Sequence, residues 1–593
     1  MLLYLYNFFE KQILKKAGKY MKISEEKVWL KYFESVRNVE EVPQMLMYDY
    51  VIENNKHKMH NTALNYYGTK LSYKQLVERI DETANAFAKL GVKEGEIVSF
   101  VSVAVPECIY AIYALNKIGA TANMIDPRMD KENIKRMIIE SGSRFTFGLD
   151  ATFAKVREIL HEINQEKVVV LQFSRSLPFF TRMFVRITGR YPEISYNEEV
   201  VKWEDFIKDG KGTVAPKAEY VGDRVVGIAY TGGTTGFPKG VMLTNDSVNA
   251  VAYNFKYAGL VHGENDKFLG IIPVFSTYGF VCGMHMPFCM GCELIPIPRF
   301  NPLELGKLMV KFKPNHLIST PAFYEMMMES KELVGRKLEY LITLGSGGDT
   351  MNKGLEDKLH AWMKEKGIKY PLAQGYGMSE LSAAATFSVN DIHKYGSVGV
   401  PSIETTVSIF DPETGEELGY NQHGEVCITG KTIMKGYFNR PEETENVLRL
   451  HDDGQYWIHS GDIGYMDEDG FLFIVGRYKR MITRFDGHKV FPINIESLIS
   501  KNSCVYNCSV IAVDDLDHSQ GQYPMAIVQL REGVPNPQRS RKIIEEQCQE
   551  LLEERGRPVA VIIVDEIPLT GALKNDFRAL EKKYKNYNYK KND

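Results

Sequence analysis

Val225-Val-Gly-Ile-Ala-Tyr-Thr-Gly-Gly-Thr-Thr-Gly-Phe-Pro-Lys-Gly240 joins an apolar run to a loop of glycines and threonines that closes on a lysine. The run Val225–Ala229 reads as a buried strand, since continuous apolar residues bounded by turn formers suit a strand covered on both faces. In the loop, Gly232, Gly233 and Gly236 leave backbone N–H groups free to close around phosphate oxygens. Thr231, Thr234 and Thr235 add hydroxyl donors, and Lys239 adds a cation. The stretch is therefore a phosphate grip at the end of a strand. It differs from the Walker loop, because Lys239 follows Pro238 and no Ser or Thr comes after it to hold magnesium.

The pattern around this loop is α/β. Leu76 to Leu90 repeats apolar residues at helical spacing, Ile97–Val103 reads as a strand, and Pro106–Gly119 is helical again. Strand-like runs recur at Val168–Phe173, Phe268–Val274, His316–Thr320 and Tyr340–Leu344, each followed by a helical or glycine-rich segment. Such alternation predicts mostly parallel sheet in one large N-terminal body. After Gly476 the texture changes to short strands at Cys508–Val513, Met525–Leu530 and Val559–Val564 around a helix near Gln538–Arg555. The expected division is a large α/β body over 1–478 and a small α+β domain over 479–593, with a frayed tail at 583–593.

At 593 residues, 44% hydrophobic and 25% charged, the chain suits a multidomain globular protein. A formal net charge of −4 argues against nucleic acid as a partner, so any polyanion must be held locally. Eight scattered cysteines form neither a disulfide framework nor a zinc pattern, which points to buried thiols and a cytoplasmic setting. From Phe268 to Cys292 there is no charged residue, yet Pro273, Gly279, Gly283, Pro287 and Gly291 interrupt the run; it reads as core, not a membrane span.

Two other stretches suggest peripheral membrane contact. The N-terminal MLLYLYNFF, within residues 1–16, is either a surface anchor or an extension upstream of a start at Met21. Ser174–Arg190 carries four arginines and no acid, with Phe180, Met183, Phe184 and Ile187 on one side of a helix that Pro178 would open. It reads as either a membrane-surface helix or a packing insertion.

Further motifs follow the loop in order. Ser346-Gly-Gly-Asp349, Gln374-Gly-Tyr-Gly-Met-Ser-Glu380, Gly396-Ser-Val-Gly-Val-Pro401, Lys435-Gly-Tyr-Phe-Asn439, His459-Ser-Gly-Asp462, Gly476-Arg477 and Pro568-Leu-Thr-Gly-Ala-Leu-Lys574 punctuate the chain. Together with the loop they resemble the adenylate-forming superfamily of AMP-dependent acyl-CoA synthetases, over roughly residues 60 to 580.

The resemblance implies ATP, Mg²⁺ and CoA as the participants, with a carboxylic acid as substrate. It makes the 231–236 loop, Gly347, Gly348, Gln374, Gly375, Tyr376, Ser379, Asp462 and Arg477 nucleotide-binding. Tyr376 would stack on adenine, Ser379 would touch phosphate, and Asp462 and Arg477 would take the ribose. Glu380 would bind Mg²⁺, and Lys239, Glu380 and Lys574 would be catalytic. Leu573 stands where the family has glycine, while Lys574 keeps its spacing from Pro568 and Thr570. A hinge is implied at Lys479, and Phe485-Asp-Gly487 resembles the loop that lines the CoA tunnel.

The reaction so implied is formation of acyl-AMP and transfer to CoA, releasing AMP and pyrophosphate. Phe275, Ser276 and Gly279 are the acyl-pocket candidates. Ser276 offers no charge for an ammonium group, so a medium- or long-chain fatty acid is the leading expectation and an aryl acid the next. An acyl carrier protein remains an alternative thiol acceptor.

Overall fold

Local signals place the helices that cover the sheets. Ser72 caps Tyr73–Leu90 by accepting from the Gln75 N–H, while the Gln75 side chain accepts from the Ser72 N–H. Thr244 and Ser247 make the same reciprocal cap on Asn245–Tyr257. Caps of this kind contribute about 0.5–2 kcal/mol each and set where each helix starts. Pro106 opens Pro106–Lys117, which is buried along nearly its whole length and so lacks a polar face.

The computed structural model describes residues 22–33, 41–188, 193–231, 237–518, 520–568, 575–585 and 587–590. Among them, one sheet has eight strands, with Val225–Tyr230, Thr121–Ile125, Ile97–Val101, Phe145–Leu149, Lys167–Leu171 and Val200–Lys202 parallel in that spatial order. A second, of nine strands, has a parallel centre running Ala373–Tyr376, Thr343–Ser346, His316–Ser319, Lys267–Gly270, Glu293–Pro296 and Thr62–Tyr66. A continuous apolar core packs Phe87, Phe100, Phe147 and Trp203 of one sheet's layers with Tyr113, Phe280 and Phe288 beside the other. The mostly parallel α/β body expected from the alternation is present.

The five-stranded antiparallel sheet of Thr405–Phe410, Gly424–Gly430, Leu448–Leu450, Tyr456–Met466 and Leu472–Arg477 was not anticipated. Its strands are short of the strict polar alternation that announces such a sheet, because Thr405–Phe410 is buried on both faces. The apolar stretch 268–292 resolves into the strand Lys267–Gly270, a π-helix over Tyr278–His285 and the turn of α-helix Met286–Cys289. Gly279 sits where the π-helix meets the preceding loop: a Cβ there would lie 2.0 Å from the Pro273 carbonyl oxygen. Among the described residues no helix is long and apolar enough to cross a membrane. All eight cysteines are free thiols, seven of them buried.

Past the short 3₁₀ turn Tyr478–Arg480, Val505–Asp514, Gln522–Leu530 and Val561–Val564 form a separate three-stranded sheet, covered by Pro492–Ile499 and Pro537–Leu551. Of the C-terminal segment expected to fray, the described residues 583–585 and 587–590 are instead tied down. Phe577–Tyr584 is a helix, Tyr584, Tyr587 and Tyr589 pack against Ile511, Met525 and Leu580, and the Tyr589 hydroxyl accepts from the Leu516 N–H. The lysines disguised this: interleaved aromatics bury their rings while the charges stay in water.

Candidate active site

In parallel sheets the loops at the carboxyl ends of strands face one crevice. Here Thr231 follows Val225–Tyr230, Gly347 and Gly348 follow Thr343–Ser346, and Tyr376 ends Ala373–Tyr376. All of them line one cleft of about 2220 Å³, joined by Lys239, Gln374, Gly375, Ser379, Glu380, Asp462, Arg477 and Lys479. The glycine–threonine loop does not run into a helix. It bridges antiparallel strands, with Tyr230 opposite Gly240, and its base is closed by the Thr231 N–H donating to the Lys239 carbonyl at 3.0 Å.

The polar end of the cleft is built from two clusters. In the first, the Tyr376 hydroxyl donates to Asp462 Oδ2 at 2.6 Å, and Arg477 Nε lies 2.7 Å from Asp462 Oδ1. Asp462 is nearly buried, and burial together with this carboxylate pushes the Tyr376 phenol far above its usual range. Asp462 and Arg477 are neighbours because Tyr456–Met466 and Leu472–Arg477 pair in antiparallel register.

The turn carrying Asp462 is held from behind. Gly461 adopts φ +68°, and its N–H donates to Glu425 Oε1 at 3.0 Å; Glu425 Oε2 lies 2.8 Å from His459 Nδ1, and His459 Nε2 lies 2.9 Å from His451 Nε2. The Asp462 N–H is taken by the Ser460 hydroxyl oxygen at 3.0 Å.

In the second cluster, the Tyr437 hydroxyl donates to Glu380 Oε1, and Lys239 Nζ sits 4.2 Å from the centre of the Tyr437 ring. Glu380 is buried within a 3₁₀ turn, Ser379–Leu381, that follows the strand bearing Tyr376. Its hard, anionic oxygens at the edge of a polar cleft are the donor type that a magnesium ion shared with phosphates requires. Behind the strand, Gln374 Nε2 donates to Glu356 Oε1 at 2.8 Å, and Glu356 is fully buried.

The other end of the cleft is apolar. Phe255, Leu260, Phe268, Phe275, Met286, Met290 and Ile318 line it, with Cys282 and Cys292. Burial pushes the Cys282 thiol up to about 12, so it stays neutral and inert. His316 is committed, with Nε2 3.0 Å from Asp266 and Nδ1 3.0 Å from the Thr343 hydroxyl. Ser276 lines the cleft, but its hydroxyl donates to the Pro273 carbonyl at 2.7 Å and accepts from the Gly279 N–H at 3.1 Å. It serves its own turn.

Some expected residues are not brought together. Gly279 does not line the cleft; it permits the close backbone packing described above. Gly487 is also absent from the lining: it turns, at φ +81°, the hairpin between Ile482–Thr483 and Lys489–Val490. Gly232, Gly233, Thr234, Thr235, Gly236 and Lys574 lie outside the described residues, as do 1–16. Conversely, Tyr437 and Glu356 were missed. Tyr437 lies inside the Lys435–Asn439 motif, and that motif is the available signal; Glu356 has none, being one acid in an ordinary helix.

Residues 52–438 match the family described as AMP-binding enzyme, and residues 494–574 match the AMP-binding enzyme C-terminal domain. A long-chain-fatty-acid–CoA ligase of Bacillus subtilis (strain 168) is 29% identical over 482 residues, covering 80% of this chain and 83% of its own. A 4-coumarate–CoA ligase, CCL1, of Humulus lupulus is 30% identical over 503 residues, covering 82% and 84%. Among solved structures, the anthranilate CoA ligase AuaEII in complex with anthranoyl-AMP superposes with a TM-score of 0.78 at 20% identity, over 92% of this chain and 99% of that one. ATP-bound MatB from Rhodopseudomonas palustris superposes at 0.75 and 23% identity, over 91% and 99%.

Proposed function

The chain belongs to the AMP-binding enzyme family and is an AMP-forming acid–thiol ligase, and from that premise we propose that it activates a medium- or long-chain fatty acid as acyl-AMP and transfers the acyl group to CoA. The observation that carries the choice of acid is the far end of the cleft. Its walls are largely Phe, Met, Leu and Ile, its Cys282 thiol is neutral, and His316 and Ser276 already have partners, which leaves the Thr277 and Ser388 hydroxyls as minor polar exceptions in the lining. A hydrocarbon chain loses nothing on entering walls that are mostly apolar.

Chemistry occurs in two steps. A carboxylate is a poor acyl donor because oxide is a poor leaving group; its oxygen attacks the α-phosphorus of ATP, the bond to the bridging oxygen breaks, and pyrophosphate leaves. Thiolate then attacks the acyl carbon and AMP departs with the C–O electron pair. Negative charge gathers on phosphate in the first step, so catalysis is positioning and electrostatics.

In this reading Asp462 accepts the ribose hydroxyls, Arg477 lies beside it, and Tyr376 covers the adenine face over Gly347 and Gly348. Residues 231–236 and Lys239 take the phosphates, and Ser379 adds a hydroxyl. Glu380 would hold Mg²⁺, which when bound offsets phosphate charge. Lys574 approaches the α-phosphate during adenylation. Lys479, in the exposed turn between the two family segments, is the hinge that exchanges Lys574 for the Gly487 loop. The absence of Gly487 from the present cleft lining suits a chain in which that exchange has not occurred. Domains of 1–478 and 479–593 follow from this hinge.

The test is AMP and pyrophosphate release with fatty, aryl and amino acids, with and without CoA. Fatty-acid-dependent AMP release accelerated by CoA supports the reading. Preference for an aryl acid overturns the choice of acid, and pyrophosphate release indifferent to CoA moves the acceptor to an acyl carrier protein.

A further inference from the structure

In an ordinary surface helix the apolar stripe faces the core. Phe179–Ile187 reverses this. Phe179 is 62% exposed, Phe180 78%, Met183 45%, Phe184 61% and Ile187 76%, while Val185 turns inward to the main core. At roughly 100° per residue, positions 179, 180, 183, 184 and 187 fall within roughly 140° of the helix circumference, forming one continuous outward face. Nowhere else among the described residues do five large exposed apolar side chains occur within nine positions.

The helix is held at its base. Leu177 is buried, the Pro178 ring lies against Gly68, and Arg175 pairs with Glu204 and lies 3.8 Å from the buried Glu107. The exposed face is thus presented by an anchored element rather than by a drifting loop. Arg182 lies along one margin, exposed, within 5.9 Å of the Phe179 ring centre. The segment 174–190 holds four arginines and no acid, against a chain whose net charge is −4. Exposed aromatics beside a basic margin match the two halves of an acidic bilayer surface, acyl boundary and phosphate headgroup.

We infer that the outward face of Phe179–Ile187 seats the protein on an anionic lipid surface, its phenylalanines entering the acyl boundary and Arg182 at its margin meeting the phosphates. The seat is peripheral. It does not depend on which acid is activated, because it is made of residues that do not line the cleft.

Flotation of the full chain with vesicles of phosphatidylcholine and phosphatidylglycerol, against vesicles of phosphatidylcholine alone, tests it. The wild type is expected to float with the anionic vesicles, about tenfold less at high salt. Phe180→Ser with Ile187→Ser is expected to lower recovery at least about tenfold, and Arg182→Glu several-fold, with the thermal melting curve and turnover of a short soluble acid unchanged. A wild type that stays in the soluble fraction, or variants that float equally well, would overturn the inference. So would light scattering that shows a dimer abolished by the same double substitution, since a second copy would then be the occupant.

Discussion

The two ends of the cleft are made by opposite rules. At the polar end Tyr376, Asp462 and Arg477 meet within 2.6 to 2.7 Å, and Glu425 and Ser460 fix the turn behind them. Replacing any of these groups leaves a buried donor or acceptor unpaired, which costs about 1–3 kcal/mol, so residue type is dictated. At the apolar end Phe268, Met286, Met290 and Ile318 need only fill space. Many combinations of apolar side chains fill the same volume with little loss. The polar end therefore carries a readable signature and the apolar end carries almost none.

The sharpest way to break this comparison is at Lys574. Lys574→Ala is expected to slow acyl-AMP formation by about 10²–10³-fold while sparing thioester formation from supplied acyl-AMP. Equal loss of both half-reactions, measured separately, would remove the lysine from its assigned step.

Next comes Asp462→Ala, expected to cost about 10–100-fold in kcat/KM for ATP, from the loss of charge-assisted hydrogen bonds. The preference among acids should not move, and a changed preference would mean that the two ends are not independent. At the apolar end, Met290→Trp should reverse this pattern: shorter acids gain over longer ones by about tenfold, with KM for ATP unchanged. A uniform loss across chain lengths would show that Met290 frames the cleft without measuring the chain.

Tyr437→Phe is a finer probe. Removing the hydroxyl that donates to Glu380 should raise KM for Mg-ATP about fivefold, with kcat less affected, because Tyr437 positions a carboxylate rather than meeting the reacting atoms. A fall in kcat alone would contradict this positioning role.

The smallest effect on turnover is expected at His285, in the π-helix beneath the apolar end. Burial lowers its pKa from 6.5 to about 3, so it is neutral when folded and protonates on acid unfolding. Its folded pKa lies below the unfolded value, so stability is lost as pH falls below about 6.5, by at most about 1.4 kcal/mol per unit. Between pH 7 and 5 the wild type should lose about 2 kcal/mol more than His285→Gln in urea titrations. Parallel losses would show that burial does not hold His285 neutral.

What could be read from the sequence follows the same division. The 225–240 stretch announced the strand Val225–Tyr230, and Gln374 to Glu380, His459 to Asp462 and Gly476-Arg477 each kept their order. That Asp462 and Arg477 meet was legible only as a resemblance; the contact comes from antiparallel pairing fifteen residues apart, in a sheet whose strand Thr405–Phe410 is buried on both faces. Ser276 looked available to a substrate until its turn placed both the Pro273 carbonyl and the Gly279 N–H against it. Gly279 looked like space for an acyl chain, yet it is filled by backbone.

By itself the sequence determined the α/β class and the family, because strands and ordered motifs each demand particular residues at particular spacings. Only the tertiary structure decided which apolar residues wall the cleft, that Tyr437 stands between Glu380 and Lys239, and that the phenylalanines of Phe179–Ile187 face outward. The reason is physical: hydrophobic attraction has no direction, so an apolar side chain records that it wants to be covered but not by what.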